Sequence, residues 1–132
     1  MRISRAVVVL SAALLLATVG SVAAATYELD VVATPARQEV FWPFRARLDV
    51  YVRDAVTHKP VDRALVHVLY STQKTDGTPV GGAYYKKTIK NGHVRFSFPL
   101  GQDFIGQTFN FEIRVDHGSE AGYTEASVDV TD

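Results

Sequence analysis

The chain has 132 residues with no cysteine, one methionine at position 1, and 14 basic side chains against 14 acidic ones. Without cysteine there is no disulfide and no thiolate-bound metal, so a folded domain must depend on its hydrophobic core. The net charge of zero excludes a general binder of polyanions such as nucleic acid.

The N-terminal segment has the pattern of a signal peptide. Arg2 and Arg5 precede an apolar run over residues 6–19, and residues 23–25 are all alanine, which is typical of a cleavage site. We expect the chain to be cut after Ala25.

Cleavage there divides the chain into a signal peptide, residues 1–25, and a β-sandwich domain, residues 26–132. The alternative is that residues 6–25 remain as a membrane anchor, since they contain no charge. The first interpretation predicts a secreted protein that is extracellular, bound to the cell surface or periplasmic. It would contact the membrane only transiently, through the signal peptide.

A weak strand and an aromatic cluster open the domain. Residues 27–33 alternate between apolar and acidic side chains, which predicts an edge strand that Pro35 interrupts. Residues 40–44, VFWPF, contain the single tryptophan. We expect this cluster to form a hydrophobic plug at one end of the sandwich. The alternative is an exposed platform for a sugar or a protein partner.

Two strands joined by a polar connection form the centre of the chain. In residues 44–53 apolar side chains alternate with polar ones, which predicts a strand with one buried face. The expected inward residues are Phe44, Ala46, Leu48, Val50 and Val52. Pro60 ends extended pairing in the connection. Residues 64–70 are nearly all apolar, which predicts a strand that is buried on both faces.

A hairpin is the strongest local prediction of the second half. Residues 80–89 read as a strand, and Asn91-Gly92 after it predicts a type I′ turn with positive φ at both positions. The resulting pairing places Lys87 opposite Phe96 on the buried side. We therefore expect a bulge at Lys87, or a side chain that extends past the rim of the sheet.

Alternation is cleanest near the C-terminus. Residues 108–116 predict a strand with Phe109, Phe111, Ile113 and Val115 inward, and residues 123–131 predict a last strand. The chain then has seven or eight short strands and no helical periodicity after the signal peptide. This pattern predicts an all-β fold, a single β-sandwich of antiparallel or mixed sheets.

Part of this pattern resembles the transthyretin-like and carboxypeptidase-regulatory-like sandwich families. The matching runs are VRDAV (52–56), KPV (59–61) and ALVHV (64–68). The resemblance implies a single Ig-like or prealbumin-like β-sandwich, and such sandwiches have many unrelated functions. Hydroxyisourate hydrolases of this kind have a catalytic histidine where this chain has Tyr51. Hormone carriers have a lysine and a leucine where it has Tyr51 and Arg53, so neither activity is implied.

No residue pattern points to catalysis, a cofactor or a metal. The histidines His58, His67, His93 and His117 show no metal-ligand spacing, and no serine lies in a nucleophile-elbow sequence. We therefore expect a protein that is not an enzyme and needs no cofactor, and we leave a small-molecule ligand open. An enzyme remains the third hypothesis, which would need histidines that converge on a carboxylate.

Charge is unevenly distributed along the chain. Residues 44–100 contain ten basic and four acidic side chains, whereas residues 101–132 contain one and seven. We expect these charges to pair across neighbouring strands. The alternative is head-to-tail contact between subunits.

The sequence therefore predicts a secreted, non-enzymatic β-sandwich that acts through protein–protein or surface contacts. The alternative is a structural subunit of an extracellular filament or surface assembly, in which the N-terminal strand is exchanged between subunits. Self-association fits either hypothesis. The candidate interface residues are Tyr27, Leu29, Val31, Phe41, Trp42, Phe44, Tyr84 and Tyr85.

Overall fold

The computed structural model describes residues 27–132, which form two β-sheets packed face to face. The strands in chain order are β1 Leu29–Pro35, β2 Glu39–Phe41, β3 Ala46–Asp54, β4 Leu65–Gln73, β5 Pro79–Lys87, β6 His93–Phe98, β7 Thr108–His117 and β8 Glu120–Thr131. Two short 3-10 helices, Lys90–Gly92 and Gln102–Phe104, lie in the connections. The predicted all-β sandwich of seven or eight strands is confirmed.

The strand order is that of an immunoglobulin-type sandwich. One sheet has the order β1-β3-β6 and the other β2-β8-β7-β4-β5. Neighbouring strands are antiparallel except β2 and β8, which are parallel. The N-terminal segment thus supplies one strand to each sheet, and the short β2 lies beside the last strand of the chain.

The core consists of alternate side chains from facing strands. The buried residues of β3 and β7 are Ala46, Leu48, Val50, Val52, Phe109, Phe111, Ile113 and Val115. These are the inward residues that the sequence predicts for the two strands, with the exception of Phe44. Each large apolar side chain that is fully buried contributes about 1.5–3 kcal/mol to stability, so this alternation is the main determinant of the fold.

Strand β1 closes the sandwich because it contacts both sheets. It pairs with β3 as an edge strand, and Pro35, which was expected to interrupt it, is its last residue. Strand β8 comes close at Gly122, where a Cβ atom would lie 2.6 Å from Cγ2 of Val31 and 2.9 Å from the carbonyl oxygen of Leu29. Glycine is therefore required at this position for β1 to lie against β8.

The Asn-Gly turn forms as predicted, but the hairpin around it does not. Asn91 and Gly92 have φ angles of 60° and 66°. Strands β5 and β6, however, belong to different sheets, and β6 pairs with β3. The turn therefore carries the chain from one sheet to the other, and the predicted hairpin pairing is wrong.

A buried threonine anchors the end of β5 just before this crossing. Thr88 is 1% exposed and follows the last residue of β5. Its hydroxyl donates to the Val61 carbonyl (2.8 Å) and accepts from the Ala64 amide (2.9 Å). These bonds hold the end of β5 against the start of β4 and leave β6 to pair elsewhere.

Two further expectations about strand faces are wrong. Strand β4 is not buried on both faces, since side chains such as His67 on its outer face are only half-buried. Lys87 lies opposite Leu65 and is exposed, because β5 does not pair with β6. The lysine that extends past the rim is Lys86, whose Nζ lies 5.6 Å from the centre of the Phe96 ring.

The predictions for residues 1–25 lie outside the described residues. Within residues 27–132 there is no helix of the length and apolar character needed to cross a membrane.

Candidate functional site

The structure distributes the predicted interface residues over four places. Phe41, Trp42 and Phe44 form an exposed cluster at one end, which we call the end cluster. Tyr27 and Tyr85 lie apart on the outer face of the five-stranded sheet, Tyr84 lies at the rim, and Leu29 and Val31 lie in β1. Leu29 is 2% exposed and belongs to the core. Its side chain is therefore not available to a partner while β1 is paired.

The end cluster, Phe41, Trp42 and Phe44, is exposed by 45%, 39% and 68%. Strand β2 ends at Phe41, and the next residues form a turn in which the Phe44 amide donates to the Phe41 carbonyl (2.8 Å). Because β3 begins only at Ala46, Phe44 lies before the alternating pattern and does not enter the core. The expected plug is therefore wrong, and only Val40 of this segment is buried.

A cavity of about 290 Å³, which we call the arginine cleft, lies beside the end cluster. Its lining residues are Ala36, Arg37, Val40, Phe41, Phe44, Arg45 and Arg47. Three of them carry guanidinium groups, two carry phenyl rings, and none of the described residues that line it is acidic. The cleft thus combines positive charge with exposed aromatic surface.

Hydrogen bonds fix the walls of the arginine cleft. Arg45 donates from Nε to the Ser97 hydroxyl (2.6 Å) and from Nη2 to the Ser97 carbonyl (3.2 Å). The Ala36 amide donates to the Arg47 carbonyl (2.9 Å). The Trp42 amide bonds the carbonyl oxygen at the end of β8 (3.2 Å). The segment after β1, the start of β3 and the turn after β2 are therefore held in position without a ligand. Such preorganisation favours binding.

The charges of the cleft are not neutralised by the rest of the domain. Within residues 27–132, no salt bridge involves Arg37, Arg45 or Arg47. Asp49 follows Arg47 on the same face of β3, but its carboxylate accepts hydrogen bonds from His93 Nε2 (2.7 Å) and Arg95 Nε (2.9 Å).

The Asp49 carboxylate is held in its charged form. Burial raises its pKa, but the hydrogen bonds and positive charge of Arg95 and His93 outweigh burial and leave the pKa below its usual value. Asp49 therefore belongs to a separate ion network and does not neutralise the cleft.

Asp49→Asn should lower the free energy of unfolding by about 1–2 kcal/mol at neutral pH, since the charged hydrogen bonds are lost. A carboxylate with a lowered folded-state pKa stabilises the protein above about pH 4. That contribution disappears as the pH falls through the folded-state pKa. Urea unfolding at about pH 7 and about pH 3 should therefore show a smaller difference between variant and wild type in acid. An equal loss at both pH values would contradict this role.

A second aromatic surface lies on the outer face of the five-stranded sheet. His67 stacks on Tyr85 with ring centres 5.4 Å apart, and Tyr27 stacks on Tyr123 at 6.4 Å. Arg114 lies between these pairs, opposite His67 and Tyr123 in the strand register. This row crosses four strands, so the predicted residues Tyr27 and Tyr85 do share a face.

Acidic side chains line a groove on that outer face. Beside the row lies a shallow groove of about 740 Å³, which Glu112 and Glu125 line from directly opposite positions on β7 and β8. The Tyr123 hydroxyl donates to Glu125 (2.5 Å). Burial, this bond and the charge of Glu112 raise the pKa of Tyr123 well above its usual value. Arg114 Nη2 also lies 3.0 Å from Glu112, so this part of the surface combines acidic and basic groups, in contrast to the arginine cleft.

The histidines occupy separate surroundings. His93 pairs with Asp49 and His117 pairs with Glu120, so these two histidines contact different carboxylates. In the part of the chain that the structure describes, no three His, Cys, Asp or Glu side chains are placed to hold a metal ion.

The uneven charge distribution is reduced only slightly by pairing. Among the described residues, Lys74 and Asp103, 4.0 Å apart, form the one salt bridge between residues 44–100 and 101–132. The expected cross-strand pairing of the two regions is therefore limited to this contact.

The three arginines of the cleft were not among the predicted interface residues. The sequence does contain a signal for them, since Arg37, Arg45 and Arg47 flank the aromatic run. Arg37 reaches Arg47 through the pairing of β1 with β3, which the Ala36 amide extends by its bond to the Arg47 carbonyl. The pairing of β2 with β8 places Phe41 beside them, and neither pairing is visible in local periodicity.

A comparison with a known structure supports the class of fold that the strand order defines, an all-β sandwich. The adhesin InvE of Yersinia pseudotuberculosis has a similar structure, with a TM-score of 0.57 at 12% sequence identity. The match covers 77% of this chain and 32% of that one. At this identity the likeness shows the fold alone.

The sporulation control protein Spo0M of Bacillus subtilis also matches, with a TM-score of 0.45 and 12% identity over 80% of this chain and 50% of that one. This chain therefore spans about a third and a half of the two neighbours. No protein-family model and no curated protein sequence matches the chain. The resemblance to transthyretin-like proteins stays a prediction.

Proposed function

We propose that this protein is a secreted, non-enzymatic module that contacts a protein or surface partner through its end cluster. The observation that carries the proposal is the exposure of Phe41, Trp42 and Phe44 on one turn at the end of a stable sandwich. Aromatic side chains dominate the energetics of interfaces, and aromatic anchors are enriched among the residues that bind most strongly.

Two other observations support this function. The turn is held by hydrogen bonds to β8 and within itself, so little ordering is required when a partner binds. In addition, a protein named as an adhesin has the same fold, which favours a role in surface contact. The signal peptide predicted over residues 1–25 favours export.

Replacing both Trp42 and Phe44 by serine should reduce the fraction of protein that remains bound to the producing cells at least tenfold. Each residue can contribute the 2 kcal/mol typical of an interface anchor, and 1.4 kcal/mol corresponds to a factor of ten. The measurement is quantitative immunoblotting of cell-bound protein and culture medium.

The matched control replaces Val56 and Ile89, which are 85% and 67% exposed away from the end cluster, by serine. This control should be retained like the wild type, and both variants should keep the wild-type melting temperature. Equal retention of all three proteins, or wild-type protein found only in the medium, would contradict the proposal.

The second candidate is a filament or surface-layer subunit with strand exchange. The supporting observation is that β1 is an edge strand joined to β2 by residues 36–38. Its pairing with β3 and its contact at Gly122 could therefore be made to a neighbouring copy, as in domain swapping. Deletion of β1, described in the Discussion, separates the two candidates.

A further inference from the structure

We propose that the arginine cleft binds a single acidic sugar residue, a carboxylate-bearing unit of a surface glycan. This inference rests on the proposed contact function, and it names the chemistry of the partner. The cleft supplies the two kinds of group that such a residue needs, cations for the carboxylate and phenyl rings for the sugar ring.

The cations favour a carboxylate. Guanidinium groups present paired N–H donors whose geometry matches a carboxylate, and this recognition is often bidentate. Arg37 and Arg47 form no salt bridge with a described residue, and Arg45 uses Nε and Nη2 on Ser97, which leaves Nη1. Three uncompensated charges around one cavity repel one another, and a bound anion relieves that repulsion.

The phenyl rings favour a sugar over other anions. Phe41 and Phe44 line the same cavity and expose much of their surface. The C–H face of a pyranose is apolar and packs on such rings, whereas inorganic phosphate or acetate gains nothing from them. An anion with an apolar face therefore uses the whole lining of the cleft.

The size of the cavity limits the ligand to one residue. A volume of about 290 Å³ is at the low end for small-molecule sites. It has room for one pyranose ring, and an extended acidic peptide would leave most of its length outside. The neutral net charge of the chain also argues against binding by long-range attraction to a polyanion. Recognition is therefore local, and avidity comes from many copies or many glycan units.

The test is an amide-resolved NMR titration of the purified protein with methyl glucuronide. We expect chemical-shift changes at the amides of Arg37, Phe41 and Arg45, with a Kd of about 1 mM, as ordinary ligand efficiency gives for a sugar of this size. Methyl glucoside, which has the same ring without the carboxylate, should bind at least about tenfold more weakly.

The variant Arg37→Ala/Arg47→Ala should weaken methyl glucuronide binding at least about tenfold. Arg37→Lys/Arg47→Lys keeps the charge but loses the fork, so it should also bind more weakly than wild type. The control Arg53→Ala/Lys59→Ala removes the same charge away from the cleft, around the end of β3, and should bind like wild type. None of these side chains belongs to the core, so all variants should give folded spectra.

Several results would overturn the inference. The first is that the Arg37→Ala/Arg47→Ala variant binds methyl glucuronide as tightly as the wild type does. The second is that the wild type binds methyl glucoside as tightly as methyl glucuronide. The third is that it binds a diglutamate peptide more tightly than methyl glucuronide, or binds glucose 6-sulfate but not methyl glucuronide.

The titration tests the sugar assignment and the cell-retention experiment tests the contact function, so either proposal can be contradicted while the other stands. If the glucuronide does not bind but Trp42→Ser/Phe44→Ser still loses cell retention, the contact function stands and the sugar assignment falls. If the glucuronide binds at the cleft but neither Trp42→Ser/Phe44→Ser nor Arg37→Ala/Arg47→Ala changes cell retention, the contact function falls.

Discussion

Gly92→Ala should leave the chain largely unfolded. Gly92 has a φ angle of +66°, and a Cβ atom there would overlap the carbonyl oxygen of Val52 and lie 3.0 Å from the Val61 nitrogen. Its amide also donates to Asp62 (2.7 Å), which ties the turn to the connection before β4. Relief of the overlap would move the backbone of β3. We expect a loss of more than about 5 kcal/mol, which reaches the total stability of a small domain.

Gly118→Ala is the matched control for this substitution. Gly118 has a φ angle of +61°, but a Cβ atom there would meet no atom within 4 Å. The control therefore measures only the cost of the left-handed backbone for alanine, about 1 kcal/mol. Circular dichroism and urea unfolding compare the two proteins. If Gly92→Ala folds with a loss no greater than that of Gly118→Ala, the close approach to β3 is not important.

The Asn-Gly turn shows what local sequence specifies and what it leaves open. The dipeptide predicts positive φ at both residues because few other pairs tolerate it, and this prediction is confirmed. Which strands pair on either side depends on competition among all strands. Here β6 finds apolar partners on β3, and the Thr88 hydroxyl holds the end of β5 against β4.

The buried faces of β3 and β7 were predictable from the sequence, whereas the arginine cleft was not. Period-two alternation over nine or ten residues, as in β3 and β7, determines which side chains are buried. Strand β2 has three residues and is too short for a period. It lies where it does because it pairs with β8, and that distant pairing places Phe41 beside the arginines. Arg37 and Arg47 are brought together by the pairing of β1 with β3.

Deletion of residues 27–35 should unfold the domain if β1 belongs to its own chain. The deletion removes the buried Leu29 and the packed Val31 and Ala33 from the core, and it uncovers Gly122 and one edge of β3. Loss of a single buried leucine costs about 2–5 kcal/mol, so loss of the whole strand should exceed the stability of the domain. Circular dichroism together with gel filtration and light scattering would show a disordered or aggregated chain.

The control Val32→Ser changes a β1 side chain that points outward and is 48% exposed, so its stability should stay within about 0.5 kcal/mol of wild type. Strand exchange predicts the opposite result for the deletion, a folded chain that no longer assembles. Added peptide 27–35 should then bind to it and restore the β3 edge, while the full-length protein forms filaments at high concentration. A full-length protein that remains a single copy, together with an unfolded deletion variant, would exclude the filament subunit. The end cluster and the arginine cleft would then remain as the contact surface of a single domain.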